Sequence, residues 1–345
     1  MNAVNRKIIN AIIEKAENLY PDSLALIGVY GSVATGEDYA KSDLDLLILI
    51  QDEEGRKLGA GFILDDSGVG YDIYCTDWNN LHSEAQCHHA HISKLMDSEV
   101  IYVKNQKAYD ELCKLREETK LFLKSDERFE RVNELMTKAK AAYADSILCD
   151  TSGEVRLNAF KVMDCLLNAV MLWHGKYFRL GVKRTFEEIA KLPVSVEFTD
   201  NMRKTAASKD ISEIRVLLKE LLLYAEKHMH REKQKEEPSA VLTGTYEELF
   251  SNWRNKVEEA ADNSDVFSSF ANMCNFNYML SDISYEFNIG DYNIMEEYNP
   301  ENLAENVLIY DKYLEKYERL CNKAGIKIKR FSDVDAFVAD YLENQ

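Results

Sequence analysis

LIGVYGSVATGEDYAKSDLDLLILIQ, residues 26–51, is the stretch whose reading decides the fold. An apolar run ends in Gly31-Ser32, a polar segment follows, and Asp43-Leu44-Asp45 opens a second apolar run, 46–50. The pattern is strand, turn, strand, with two acids at the entrance of the second strand. Side chains two apart on a strand share a face and neighbours oppose. Asp43 and Asp45 therefore project together while Leu44 and Leu46 turn to the core.

Two carboxylates side by side repel each other, and burying one without a partner is costly. The arrangement makes chemical sense around a cation. All-oxygen ligands suit Mg2+, which is held by one or two carboxylates together with substrate phosphates. Gly31 lets the backbone pass close to a phosphate, Ser32 offers a hydroxyl, and a helix starting there would turn its free N–H groups to an anion. The competing reading is a plain turn with solvated acids, since Asp and Ser are common turn residues. Gly31 and Gly36 have the spacing that begins a P-loop, but Glu37-Asp38 stand where Lys-Ser or Lys-Thr is required. Neither a G-x-G-x-x-G after a strand nor a kinase catalytic loop is present.

The full constellation, strand, Gly31-Ser32, ten residues, Asp43-Leu44-Asp45, strand, resembles the nucleotidyltransferase superfamily related to DNA polymerase β. Gly31-Ser-Val-Ala-Thr-Gly36 followed by Ser42-Asp-Leu-Asp-Leu46 is most similar to the antibiotic, aminoglycoside-type nucleotidyltransferases. The resemblance implies an α+β protein: a small mixed sheet with flanking helices, then a helical bundle. It implies transfer of a nucleoside monophosphate, AMP first, from ATP or another triphosphate to an acceptor hydroxyl, with two Mg2+ ions and release of pyrophosphate. Asp43 and Asp45 would be metal-binding and catalytic, and Gly31, Ser32 and Ser42 nucleotide-binding. Where those enzymes often carry Arg before the second Gly, this chain has Thr35.

Downstream, VGYDIYCT at 69–76 alternates as a strand, with Val69, Tyr71, Ile73 and Cys75 on one face and Asp72 on the other. The resemblance gives Asp72 the place of the third metal-binding, catalytic carboxylate, with Asp77 as its competitor. Residues 78–97 read as helical and hold Cys87-His88-His89-Ala90-His91. A zinc site there would lack a second, distant ligand pair. Strands are also expected over 59–64 and 99–103, and helices over 4–20 and 109–122.

From about 126 the period lengthens to that of helices. Three apolar stripes (Phe129 to Ile147; Leu157, Phe160, Met163, Leu167, Val170 and Trp173; Ile211 to Ala225) predict a bundle. Lys161, Asp164 and Asn168 interrupt the second stripe and are candidates to face a cleft. Lys176, Arg179, Lys183 and Arg184 fall within nine residues of an acidic chain. This local excess predicts a triphosphate contact by Lys183 and Arg184. The charged run 228–239 reads as a linker before a further helical tail. The expected divisions are 1–124, catalytic; 125–235, acceptor-binding bundle; and 236–345, a helical region without recognisable chemistry.

With 42 basic and 60 acidic residues the net charge is -18, against the basic clustering that binds a nucleic-acid backbone. The sign suits a small polycationic acceptor such as an aminoglycoside. Seven scattered cysteines without a C-x-x-C pair read as reduced thiols. With neither a signal pattern nor an apolar run of about 18 residues, the expectation is a cytoplasmic protein without a membrane partner. A homodimer is compatible with the sequence. The rival readings are an AMP transferase acting on protein and a nucleotide-binding module without turnover.

Overall fold

The computed structural model describes residues 2–36, 39, 41–231 and 234–343. Glu37 and Asp38, used above to set aside a P-loop, lie outside them. The described chain forms two compact units, Met1–His230 and Arg231–Gln345.

The first unit is built on a mixed sheet, in the order β5 (Cys75–Thr76), β2 (Leu46–Ile50), β1 (Leu24–Val29), β6 (Glu99–Val103). Strand β1 pairs antiparallel with β2 and β6, and β2 pairs parallel with β5. Every residue of β1 and β2 is buried because both faces of the sheet are covered. Leu46, Ile48 and Ile50 pack with Ile9, Ile12 and Ala16 of α1 (Ala3–Leu19). Leu47 and Leu49 face the opposite core, with Leu81 of α3 (Trp78–Ala85), Leu95 of α4 (Ser93–Asp97) and Leu112 of α5 (Gln106–Lys124). Their run of apolar residues is therefore the signature of a strand with two buried faces. Strands β3 (Ala60–Leu64) and β4 (Val69–Ile73) form a separate antiparallel ribbon.

The second of these cores continues without a break into helices α6 (Arg128–Leu148), α7 (Ser152–Trp173), α9 (Val196–Ala207) and α10 (Ile211–His228), with α8 (Thr185–Ile189) between α7 and α9. One core thus crosses residue 124, where the sequence suggested a division, and the two compact units part inside the charged run 228–239.

Two sequence expectations need correction here. Residues 86–92 are not helical: Cys87 adopts φ 52° just beyond α3, and His88 and His91 share no helix face. On α7 the buried face is Val155, Ala159, Val162, Leu166 and Ala169, whereas Leu157 and Phe160 are 67% and 64% exposed. This helix is apolar on more than one side, and periodicity alone selected a stripe of which Val170 is core, Met163, Leu167 and Trp173 pack at the core's edge, and Leu157 and Phe160 are exposed.

In the second unit, α13 (Val266–Glu286) and α14 (Leu303–Lys323) supply Phe276 and Tyr310, stacked at 3.9 Å. Tyr310 Oη donates to Leu249 O of α11 (Thr245–Leu249) at 2.5 Å. A π turn over Phe250–Arg254 joins α11 to α12 (Asn255–Asp262) and shifts the helical phase. Tyr246 and Val257, on either side of this turn, are buried, while Phe250 within it is exposed. Helix α15 (Val334–Glu343) buries none of its residues. Among the described residues no helix is long and apolar enough to cross a membrane.

Candidate active site

The acid wall grows from the β1–β2 hairpin. The ladder runs to Val29↔Leu46, and Tyr30 N–H then donates to Asp45 O at 3.1 Å, which fixes Asp45 beside the turn. Gly31 follows at φ 68° and opens the short helix α2 (Gly31–Thr35), closed by Gly36 at φ 72°. A Cβ on Gly31 would stand 2.0 Å from Asp45 Oδ2. Only glycine serves here, because the backbone is left-handed and the carboxylate lies against its Cα.

Burial, and after it the neighbouring Asp43, push the Asp45 carboxyl up to about 6. Asp43 itself is exposed. A half-buried acid facing a second acid fits a divalent cation held between them: the charge of the ion would remove the mutual repulsion that raises Asp45. Tyr30 adjoins this pair. Its hydroxyl lies 3.4 Å from that of Tyr74, and burial, this contact, and then Asp45 and Glu84 hold its proton on. Lys94 joins the cluster, paired with Glu84 at 2.6 Å and over the Tyr74 ring at 5.3 Å.

The basic wall is the segment after α7. Phe178 N–H donates to Ala90 O at 2.8 Å, and Arg179 pairs with Asp97, which also accepts from Tyr177 Oη at 2.8 Å. Glu188 of α8 is buried, and its carboxylate accepts from the N–H groups of Arg179 and Leu180 at 2.9–3.2 Å. These ties pin the loop that carries Lys183 and Arg184. Lys183 sits over the Tyr39 ring at 5.4 Å, and Arg184 pairs with Glu187 at 2.7 Å.

Between the walls lies a cavity of about 300 Å³. Gly31, Ser32, Ser42, Asp43 and Asp45 line one side, and Arg179, Lys183 and Arg184 the other. Seven of the eight residues expected from the sequence to form the site thus share one cavity. Ser42 Oγ accepts from Tyr39 N–H at 3.0 Å, so this side chain also shapes the turn. Lys176 is exposed and does not line the cavity.

Asp72 is the residue not gathered. It lies on the exposed face of β4, opposite Gly61 of β3, and does not line the cavity. The sequence offset that pairs Ile48 with Cys75 also separates Asp45 from Asp72, so a β2–β5 ladder prolonged to Asp72 would set the two acids side by side. The β2–β5 ladder nevertheless stops at Cys75, and residues 69–73 are paired with β3 only. Among the described residues no group of three His, Cys, Asp or Glu is placed to hold a metal, zinc at 87–91 included. Asp77, the competitor for the third place, caps α3 by accepting from Asn80 N–H and pairs with Arg56 at 2.7 Å.

Of the three polar positions proposed on α7, Asn168 is buried and accepts from Ala90 N–H at 2.6 Å. Lys161 bonds to Asn158 and lines a separate open pocket with Glu154 and Leu157, and Asp164 faces the apolar cavity described below. Lys41 and Tyr39 also line the polar cavity, and Glu188 braces its basic side; sequence spacing does not reveal the contacts that give these residues their places.

Residues 9–131 match the family model of the nucleotidyltransferase domain. The match contains the whole acid wall and ends before the basic one. Among solved structures the chain is similar to a nucleotidyltransferase-like protein from Exiguobacterium sibiricum 255-15, with 16% identity and a TM-score of 0.37, over 65% of this chain and 78% of that one. No curated protein matches the chain.

Proposed function

We propose that this protein transfers a nucleoside monophosphate, AMP first, from a nucleoside triphosphate to a hydroxyl of a small acceptor and releases pyrophosphate. One observation carries the reading: a cavity with two carboxylates on one wall and Arg179, Lys183 and Arg184 on the other, inside and beside a nucleotidyltransferase domain. The acid wall suits a metal, and the basic wall suits polyphosphate.

Asp43 and Asp45 would hold Mg2+, and Asp72 would join them were β4 to continue the β2–β5 register to its position. When bound, Mg2+ neutralises phosphate charge and favours deprotonation of a hydroxyl. Gly31 and Ser32 let the triphosphate approach the backbone, Ser42 holds the turn beside it, and Lys183 and Arg184 take up charge on the β- and γ-phosphates. The acceptor oxygen forms a bond to the α-phosphorus as the bond to the bridging oxygen breaks. Its proton passes to a carboxylate of the site, and the electron pair leaves with pyrophosphate. The protein's part is chiefly positioning and neutralisation.

The aminoglycoside acceptor rests on the sequence resemblance and on the acidic charge, the exclusion of nucleic acid on that charge alone, and the cytoplasmic location on the scattered cysteines and the lack of a signal pattern and of a long apolar run. A second reading, a nucleotide-binding module without turnover, is favoured by the position of Asp72 outside the cavity. The experiment is transfer from α-labelled ATP, then GTP, with Mg2+, to an aminoglycoside panel, to a cell extract of small molecules and to cell protein, with Asp43→Asn as blank. Label on a small molecule is the expected result. Label on protein replaces the acceptor class, and Mg2+-dependent nucleotide binding without any label selects the binding module.

A further inference from the structure

Beside the polar cavity lies a larger one, of about 580 Å³. Phe160, Met163, Leu167, Phe178, Phe186 and Met202 make its walls, and Val182, 83% exposed, borders both cavities. Phe160, Met163 and Leu167 lie on the side of α7 turned away from Val155, Ala159 and Val162: Met163 and Leu167 are half-buried at the edge of the core, and Phe160 is exposed. A helix apolar on two sides is ordinarily buried on both, and here the second side is open to the cavity.

Few groups in it are charged. Asp164 is the one acid among its described lining residues. Arg203 is paired with Asp200 at 2.8 Å and lies over the Phe186 ring at 4.5 Å. His91 stacks on Phe178 at 4.7 Å, and desolvation against the protein lowers its imidazole from the ordinary value, against the pull of Asp164. The result is an apolar, aromatic chamber with an imidazole and one carboxylate for orientation, of the size, about 300–1,000 Å³, that encloses a whole small ligand.

We infer that this chamber is the acceptor site and that its ligand is a hydroxylated molecule built on an apolar ring system, not a polycation. A polycation needs several acids to replace the water around its ammonium groups, and the chamber offers one. A ring seated on Phe160, Phe178 and Phe186 presents its hydroxyl past Val182 to the polar cavity. The inference rests on the nucleotidyl-transfer reading and names its acceptor class.

The test uses the full chain, a panel of aryl glycosides as ring-bearing hydroxylated probes, 2-deoxystreptamine as the polycationic probe, and MgATP. Saturation-transfer NMR follows the probes and calorimetry follows MgATP. Two variants alter the chamber away from the core: Ala206→Trp fills it from an exposed position, and Phe160→Ala removes an exposed ring. Aryl glycosides are expected to bind, and each variant to weaken them about tenfold while MgATP affinity stays within about twofold. The inference is overturned if no aryl glycoside binds saturably up to about 10 mM, if 2-deoxystreptamine displaces those that do, or if Ala206→Trp weakens MgATP instead, which would make the chamber a nucleobase site. Failure of the unmodified protein to bind any aryl glycoside while it still binds MgATP removes the inference alone. Absence of MgATP binding removes the nucleotidyl-transfer reading beneath it.

Discussion

The wall that carries Asp43 and Asp45 is one β-hairpin, whereas the wall that carries Arg179, Lys183 and Arg184 is a loop tied down by Ala90, Asp97 and Glu188. In the hairpin, the strand alternation that buries Leu44 and Leu46 also places both acids on one face. Its geometry is local, so a change there should act on chemistry at once. The loop is positioned by residues up to about 90 places away in sequence, and a change at one tie should act through the position of the cations.

The largest expected effect is on the acid wall. Asp45→Asn, or Asp43→Asn, should lower transfer about 10³-fold, the several kcal/mol that a metal clamp contributes to phosphoryl chemistry, while the far-ultraviolet spectrum is unchanged. Wild-type turnover in either variant would show that the hairpin is not the chemical wall. Gly31→Ala comes next, at about 10²-fold in transfer, because its Cβ would meet Asp45 Oδ2. A small cost in transfer with a large one in melting temperature would mean that Gly31 serves the fold alone.

On the basic wall the split should differ. Lys183→Ala is expected to raise KM for the triphosphate about tenfold and to change kcat less, as loss of ground-state phosphate binding does. Glu188→Gln keeps the size of the side chain, removes its charge and weakens its hold on the Arg179 and Leu180 N–H groups. A few-fold rise in KM is expected. If Glu188→Gln instead lowers kcat as strongly as Asp45→Asn, the two walls are not distinct in the way their construction suggests.

The same contrast explains what the sequence reveals. The hairpin, its two acids and Gly31 are legible because period-two alternation and a left-handed glycine are short-range properties. Asp72 shows why parity is not enough: its face is readable, but how far the pairing with β2 runs back along this part of the chain is set by long-range packing, and the ladder covers only Cys75 and Thr76. Lys183 and Arg184 are legible as charge, yet Glu188, which fixes their loop, is an ordinary glutamate in a short helix. On α7 two apolar stripes were available, and only the packed bundle decides that Val155, Val162 and Leu166 are core while Phe160 lines a chamber. The break at Cys87 has no glycine or proline to announce it.

The smallest effect concerns Asp45 in the absence of metal. Its carboxyl is held up to about 6 by burial and by Asp43, above the value of about 3.9 for an unfolded chain, so the folded protein keeps this proton longer than the unfolded one. Protonation therefore favours the fold, and stability should fall as pH rises from about 4 to about 6 and stay low above that window. Discounted for partial exposure to solvent, the loss is on the order of 1 kcal/mol. Asp45→Asn, which cannot ionise, should match wild type near pH 4 and exceed it at pH 7 in urea unfolding without metal. Addition of Mg2+ at pH 7 should stabilise wild type and leave Asp45→Asn nearly unchanged. Parallel stability curves for the two proteins from pH 4 to 7 would mean that the strain between Asp43 and Asp45 is absent, and with it the physical reason for placing a cation between them.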